Sequence, residues 1–194
     1  MGILGIILAG GKSSRMEGKN KALIKLGQVR LIDHVFKNLS QQASEIVINA
    51  PSSFSLNVPF CPDVIEGGLG PLSGVHASLN WLKINKPNLS GIVTVPVDCP
   101  FFSRDLVKKL FVSNQITLAK DNSGIHPVFG YWPICVFEDL ERFLFSTSKK
   151  SVRAFAKNQG FKTVNFEGKY DFFNINSRVD LSIAEDISEK LKHQ

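Results

Sequence analysis

The sequence has no long hydrophobic run and few cysteines, and each absence excludes a class of protein. No stretch approaches the roughly 20 apolar residues of a transmembrane helix. The apolar run near the N-terminus is too short for a signal peptide and lacks a basic leader. The three cysteines, Cys61, Cys99 and Cys135, are widely spaced and fit no zinc pattern. We therefore expect a cytoplasmic protein with reduced thiols and no membrane partner.

A concentrated basic segment is also lacking. The 23 lysines and arginines exceed the 17 acidic residues and give a net charge of +6, but they are dispersed and do not alternate with aromatic residues. This pattern argues against nucleic acid as a partner and is compatible with phosphorylated small molecules. The 194 residues are 43% hydrophobic and contain no repeat or linker-like tract, so we expect a single domain over residues 1–194.

Short apolar runs alternate with segments of helical periodicity. Strands are predicted at residues 3–8, 45–49, 91–96, 115–119, 127–131 and 162–166. Helices are predicted at residues 31–39, 73–83, 103–112, 133–145, 151–157 and 178–192, the last with Ser177 as N-cap and Asp180 at the capping-box position. The alternation predicts a three-layer, Rossmann-like α/β sandwich: a mostly parallel sheet with helices on both faces. In such a sheet ligands bind beyond the carboxyl ends of the strands.

The first strand runs directly into a loop of small and cationic residues. Residues 9–16 read Ala-Gly-Gly-Lys-Ser-Ser-Arg-Met, where paired glycines let backbone N–H groups approach an anion and the cations neutralise its charge. The loop is not a P-loop, because Ile6 stands where the first glycine is needed, and it lacks the later glycines of the dinucleotide fingerprint. The sequence therefore predicts a phosphate-binding loop of another kind.

Three charged residues are the main candidates for chemistry. Arg15 and Lys21 lie in or just beyond the glycine loop, where they could hold phosphates and stabilise a departing pyrophosphate. Asp98 follows the strand at 91–96 and is fixed between two prolines. Mg²⁺ needs only one or two protein carboxylates besides phosphate oxygens and water, so one such aspartate suffices. The alternative, a turn aspartate bonding its own backbone, stays open.

A histidine and a basic cluster could also act in a site, but each has a simpler structural explanation. His126 precedes a proline, which is more typical of a loop histidine than of a general base. Lys149, Lys150 and Arg153 lie around the start of a predicted helix and could receive a second anion. A solvated basic helix end explains the same cluster equally well.

Taken together, the motifs resemble the molybdenum cofactor guanylyltransferases, within the wider nucleotidyltransferase superfamily. The matching stretches run in family order over nearly the whole chain, at residues 8–16, 21–23, 70–74, 98–101, 126–130, 151–155 and 173–176. The resemblance implies a fold like that of the nucleotide-diphospho-sugar transferases. It also implies a Mg²⁺-dependent reaction in which GTP and molybdenum-molybdopterin give molybdopterin guanine dinucleotide and pyrophosphate. Other molybdenum cofactor biosynthesis proteins and apo-molybdoenzymes are the partners that it implies.

The resemblance also implies roles for individual residues. The nucleotide would be bound by the backbone of the glycine loop, by Lys21 on its phosphates and by two further polar positions; these residues are Leu8, Ala9, Gly10, Gly11, Lys21, Asn49 and Asp63. Asp98 would bind both Mg²⁺ and nucleotide, while Arg153 and Asn176 would face the pterin. The attacking pterin phosphate is already ionised, so no catalytic base is required.

Two residues depart from the family pattern and keep alternatives open. Glu17 and Asn20 stand where a glycine and an aspartate are usual. The same fold could serve a cytidylyl- or adenylyltransferase acting on the pterin or on another phosphorylated metabolite. A degenerate nucleotide-binding protein that takes part in cofactor delivery is the alternative from a different class.

Overall fold

The computed structural model describes residues 2–10, 20–65, 70–112, 114–146 and 151–192. Its strands are β1 (Leu4–Leu8), β2 (Lys25–Leu26), β3 (Val29–Arg30), β4 (Glu45–Asn49), β5 (Phe60–Cys61), β6 (Gly91–Pro96), β7 (Thr117–Asp121), β8 (Gly124–Pro133) and β9 (Lys162–Asn165). Its helices are α1 (Leu31–Leu39), α2 (Pro71–Asn85), α3 (Leu106–Leu110), α4 (Phe137–Ser146), α5 (Val152–Gln159) and α6 (Arg178–Lys192). Short 3₁₀ segments lie at Lys21–Leu23 and Ile134–Val136.

Seven strands form the central sheet, in the order β5-β4-β1-β6-β8-β7-β9. Neighbouring strands are parallel except around β8, which runs antiparallel to both β6 and β7. In the middle of the sheet Leu8 pairs with both Asn49 and Pro96, so three strands end at one edge. The loops that follow those strands are thereby brought together.

The apolar strands are buried because helices cover both faces of the sheet. In β1, Leu4, Ile6 and Leu8 point into a core formed with α2, α4 and α5. Ile7 points the other way, into a core formed with α1 and α3. Burial on both faces explains why the central strands read as continuous apolar runs. The predicted covering of both faces is confirmed.

The boundaries predicted for several elements are confirmed to the residue, whereas others are wrong. The helix predicted at 103–112 extends only over α3, because the Ser103 hydroxyl bonds the Asp105 side chain in a turn ahead of it. The helix predicted from Pro133 begins later, since Pro133 ends β8 and a 3₁₀ turn follows. The hairpin of β2 and β3 and the short β5 were not predicted.

The start of α6 is capped as predicted. The Asp180 N–H donates to Ser177 Oγ at 3.1 Å, and the Asn176 N–H donates to Asp180 Oδ2 at 3.0 Å. The Ser177 hydroxyl, and then the Asn176 N–H, lower the pKa of Asp180. The cap fixes the segment just before α6, which reaches the edge of the sheet where β1 and β6 end. None of the helices built from the described residues is long and apolar enough to cross a membrane.

Candidate functional site

A cleft of about 1120 Å³ lies beyond the carboxyl ends of β1, β4 and β6. It is lined by loop and strand-end residues: Leu8, Ala9, Gly10, Asn20, Lys21, Asn49, Asp63, Gly70, Pro71, Pro96, Val97, Asp98, Cys99, His126, Pro127, Val128, Phe129, Phe172 and Asn174. Its position is the one predicted from the sheet, since side chains at strand ends meet only at that edge. The volume is that of a small-molecule site.

An ion pair lies at the centre of the cleft. Lys21 Nζ donates to Asp98 Oδ2 at 2.7 Å and to Asn176 Oδ1 at 2.5 Å. The two charged side chains are only 20% and 15% exposed, so solvent screens them less than a surface pair. The Ile175 N–H donates to the Asp98 carbonyl at 2.9 Å and ties the segment before α6 to the same turn. The carboxylate of Asp98 is thus bonded by a cation from another loop rather than serving as a simple turn aspartate.

The Asp98 charge affects the thiol beside it. Burial, and then the neighbouring Asp98 carboxylate, raise the pKa of Cys99 well above its usual value. Cys99 therefore stays protonated at neutral pH and is a packing residue of the cleft wall rather than a nucleophile.

Asn20 has a local structural role beside the cleft. Its side-chain oxygen accepts a hydrogen bond from the Ala22 N–H at 3.0 Å and caps the 3₁₀ turn that carries Lys21. Asparagine is a good cap because its short side chain reaches the free backbone N–H groups. Asn20 therefore helps to orient the cation that bonds Asp98.

Asn49 and Asp63 form a second polar network in the cleft. Asn49 Nδ2 donates to Asp63 Oδ1 at 2.9 Å and to the Cys61 carbonyl at 3.0 Å. Ser73 Oγ donates to Asp63 Oδ2 at 3.0 Å. Two residues far apart in the sequence are therefore joined, and the hydroxyl of α2 was the partner that sequence reasoning missed.

Gly74 lets α2 approach this network. A Cβ at that position would lie 2.3 Å from Asn49 Oδ1 and 2.8 Å from a methyl carbon of Leu8. No side chain fits there unless the helix moves. Gly70, just before α2, has a φ of +72°, a conformation that favours glycine.

The other predicted site residues have different positions. Leu8, Ala9 and Gly10 line the cleft, and the Ala9 N–H donates to the Asn49 carbonyl at 3.0 Å. Asn176 is exposed and reaches the cleft through Lys21, and Arg153 is exposed on α5 and is absent from the cleft lining. Six residues considered from the sequence lie outside the described residues: Gly11, Lys12, Arg15, Glu17, Lys149 and Lys150.

His126, Phe172 and Asn174 line the cleft without having been predicted to act there. His126 belongs to β8 rather than to a loop, so the interpretation as a loop histidine is wrong. The expectation failed because β8 is longer than its apolar run: it begins at Gly124, directly after the turn from β7.

The donor set suits a metal ion that draws most of its ligands from substrate. Within the ranges that the structure describes, no group of three or more His, Cys, Asp or Glu side chains could hold an ion. Asp98 lines the cleft with Oδ2 bonded by Lys21, and its Oδ1 accepts a long contact of 3.6 Å from the Cys99 thiol, whereas both oxygens of Asp63 are bonded by Asn49 and Ser73. One such carboxylate fits Mg²⁺, which keeps several waters and takes further oxygens from phosphate.

The fold and the cleft together define a Rossmann-like α/β protein with a ligand site at the carboxyl edge of its sheet. Residues 5–163 match the family described as the MobA-like NTP transferase domain. The chain therefore belongs to the MobA-like NTP transferase family and is a nucleotidyltransferase.

Two relatives of this chain share the same name. A molybdenum cofactor guanylyltransferase from Rhizobium leguminosarum bv. trifolii is 39% identical, over 98% of this chain and 95% of its own length. One of the same name from Cereibacter sphaeroides is 37% identical, over 98% of this chain and 99% of its own. The resemblance drawn from the motifs is confirmed at the level of the family.

A solved structure has the same fold. Molybdopterin-guanine dinucleotide biosynthesis protein A from Archaeoglobus fulgidus superimposes with a TM-score of 0.79, over 97% of this chain and 100% of that one, at 21% identity. The predicted fold class is confirmed.

Proposed function

We propose that this protein transfers GMP from GTP to molybdenum-molybdopterin, forming molybdopterin guanine dinucleotide and releasing pyrophosphate, with Mg²⁺ as cofactor. The observation that carries the proposal is the Lys21–Asp98 pair, 2.7 Å apart in the cleft where β1 and β6 end. Relatives that match over nearly the full length are named for this guanylyl transfer. The whole chain would act as one catalytic domain, in the cytoplasm.

The nucleotide would occupy the side of the cleft next to the carboxyl ends of β1 and β4. Leu8, Ala9 and Gly10 offer backbone there, because their strand ends at the cleft. The Asn49–Asp63 pair forms the floor of that side, held in one geometry by Ser73. Because these groups already have partners within the protein, the network would present a fixed surface to the nucleotide.

The charges near Asp98 suit a reaction between two anions. The pterin phosphate and the α-phosphate of GTP repel each other, so positive charge fixed between them lowers the barrier. Lys21 supplies such a charge, and Asn20, Asn176 and Asp98 restrict where it can lie. Mg²⁺ held by Asp98 would supply further positive charge for the developing pyrophosphate. Arg15 remains assigned to phosphate binding by its place in the glycine loop, whereas the backbone of Gly11 and Arg153 remain assigned by resemblance to nucleotide and pterin binding.

One experiment tests both the identity of the acceptor and the preference for guanine over other nucleobases. Purified protein would be incubated with Mg²⁺, molybdenum cofactor and labelled GTP, CTP or ATP in turn, and the dinucleotide product identified by mass spectrometry. We expect product and pyrophosphate with GTP only, and neither without the pterin.

Each of the other possible results would support a different function. Product with CTP or ATP would indicate a different nucleotidyltransferase of the same fold. Pyrophosphate release that a sugar phosphate stimulates and the pterin does not would contradict the proposed acceptor. Nucleotide binding without turnover would favour a role in cofactor delivery.

A further inference from the structure

The turn between β7 and β8 fixes a carboxylate at the edge of the cleft. Asp121 Oδ1 accepts hydrogen bonds from the N–H and the hydroxyl of Ser123, both at 2.7 Å, and from the Gly124 N–H at 3.1 Å. Gly124 has a φ of +134°, which favours glycine and closes the turn. The Asp121 side chain is therefore held by its own turn.

This carboxylate in turn holds His126. Nε2 of the imidazole lies 2.9 Å from Asp121 Oδ1 and 3.5 Å from Ser123 Oγ. One face of the ring stacks on Phe172, with centroids 4.2 Å apart and planes at 23°. Phe172 is itself fixed by edge contacts with Phe129 and Phe166. The ring is thus restrained both at its edge and on its face, although it is 24% exposed and lines the cleft.

His126 lies on the side of the cleft away from Asn49 and Asp63. β8 runs antiparallel to β6, with Gly130 opposite Thr94, so the beginning of β8 lies at the edge where β6 leads to Asp98. β1 and β4 lie on the other side of β6. If GTP binds over β1 and β4, as the proposed function requires, His126 faces the space left for the second substrate.

The free nitrogen of the ring sets the chemistry of what it can bind. Both polar contacts of His126 within the described ranges use Nε2, which leaves Nδ1 without a protein partner there. Nδ1 is a hydrogen-bonding atom that can donate to a phosphate oxygen or accept from a phosphate hydroxyl.

We propose that His126 binds the phosphate of the acceptor through Nδ1, and that Asp121 and Phe172 are positioning residues that aim its ring. The inference rests on the proposed function and adds a residue that recognises the acceptor. Burial opposes ionisation of Asp121, but the Ser123 hydroxyl and His126 outweigh it and lower its pKa to about 2. The carboxylate therefore stays charged at neutral pH, and its contact with the ring persists there.

Two amide substitutions separate binding from packing. The amide of His126→Asn can take the position of Nδ1, whereas the amide of His126→Gln can take that of Nε2 and keep the contact with Asp121. We expect kcat/KM for the acceptor to fall roughly ten- to a hundredfold in His126→Gln, the cost of a hydrogen bond to a charged group. His126→Asn should stay within about threefold of the wild type, because it retains a polar atom at the Nδ1 position.

Nucleotide binding is the matched control. The Kd for GTP, measured by calorimetry without acceptor, should change less than about twofold in both variants, since the polar contacts of His126 are with Asp121 and Ser123, away from Asn49 and Asp63. Equal acceptor KM values in wild type and His126→Gln would overturn the inference, as would a loss of GTP affinity as large as the loss for acceptor.

A readout that needs no turnover separates this inference from the proposed function. The imidazole ¹⁵N signals of His126 would be followed by NMR while metal-free molybdopterin is added to the protein. A saturable shift of Nδ1 supports the inference even if the wild type forms no dinucleotide, in which case only the proposed function fails. Signals that do not move while molybdopterin binds would contradict the inference.

Discussion

Lys21 is the residue on which the two halves of the site depend. It reaches Asp98 and Asn176 at once, so the two oxygens hold its Nζ in one position in the cleft. The resemblance assigned Asn176 to the pterin. The structure gives Asn176 a contact with the residue proposed to hold the nucleotide phosphates.

The substitution Asn176→Ala tests which substrate that residue serves. We expect it to weaken GTP binding about three- to tenfold in the absence of acceptor, because Lys21 loses one of the partners that orient it. Calorimetric titration with GTP and Mg²⁺ measures the effect. Ser151→Ala is the control, since it removes the cap of a different helix, α5, without touching Lys21 or Asn176, and should lower Tm while leaving the GTP affinity unchanged. A variant with normal GTP affinity but a raised acceptor KM would return Asn176 to the pterin.

Asp121 makes the stability of the fold depend on pH in acid. Its folded pKa of about 2 lies below the ordinary value of 3.8, so the native state favours its charged form. The stabilisation is therefore complete above pH 4 and is lost as the pH falls towards 2. We expect Asp121→Asn to lower the free energy of unfolding by about 1 to 2 kcal/mol at pH 7, because the side chain is partly screened by solvent. Urea unfolding at several pH values should show this difference shrinking below pH 4; a constant difference would contradict the assignment.

Helix α2 packs closely against Asn49 because Gly74 has no side chain. Gly74→Ala should displace the helix from Asn49, at a cost of about 1 to 3 kcal/mol in unfolding free energy, and weaken GTP binding. Ser73→Ala offers a comparison on the same turn, because it removes a single hydrogen bond to Asp63 and adds no atoms. Thermal unfolding and GTP titration of both variants would measure the effect. Equal, small losses would show that the close approach of α2 is unimportant.

Elements with a strong apolar pattern could be predicted from the sequence, and those set by local hydrogen bonds could not. The bounds of α1, β4, β6 and α6 follow from periodicity and, in α6, from the Ser177 cap. The short β5 pairs with β4 over two residues and has no pattern of its own. The extent of β8 depends on the Asp121 turn, whose geometry becomes visible only once β7 and β8 are paired.

The molecule as a whole protects two of its three thiols. Cys61 and Cys99 are buried, whereas Cys135 is exposed. Burial raises the pKa of Cys61 to about 11 and that of Cys99 well above its usual value, so neither forms thiolate near neutral pH. We expect Ellman's reagent at pH 8 to modify one thiol rapidly in the native protein and three after unfolding. Cys135→Ser should abolish the rapid reaction; a second fast thiol would contradict the packing of the cleft wall.

From the sequence, the position of the site could be predicted only from the residues that lie at the ends of strands. Asp98, Asn49 and the end of β1 were predictable, because parallel strands bring their carboxyl ends to one edge. The bond between Lys21 and Asn176 joins residues 155 positions apart, and no local pattern encodes it. The Asn20 cap and the His126–Phe172 stack likewise depend on how separate segments pack.

Asp98, beside the Lys21 cation, is proposed to let two phosphates react. Dinucleotide formation by the wild type, Asp98→Asn and Asp33→Asn over a Mg²⁺ titration would measure its role. Asp33→Asn is the matched control, because Asp33 also pairs with a cation at 2.7 Å but is absent from the cleft lining. We expect Asp98→Asn to lower kcat/KM at least about a hundredfold and to raise the Mg²⁺ requirement, while Asp33→Asn keeps the wild-type rate. Wild-type turnover in Asp98→Asn, or turnover independent of Mg²⁺, would contradict this role.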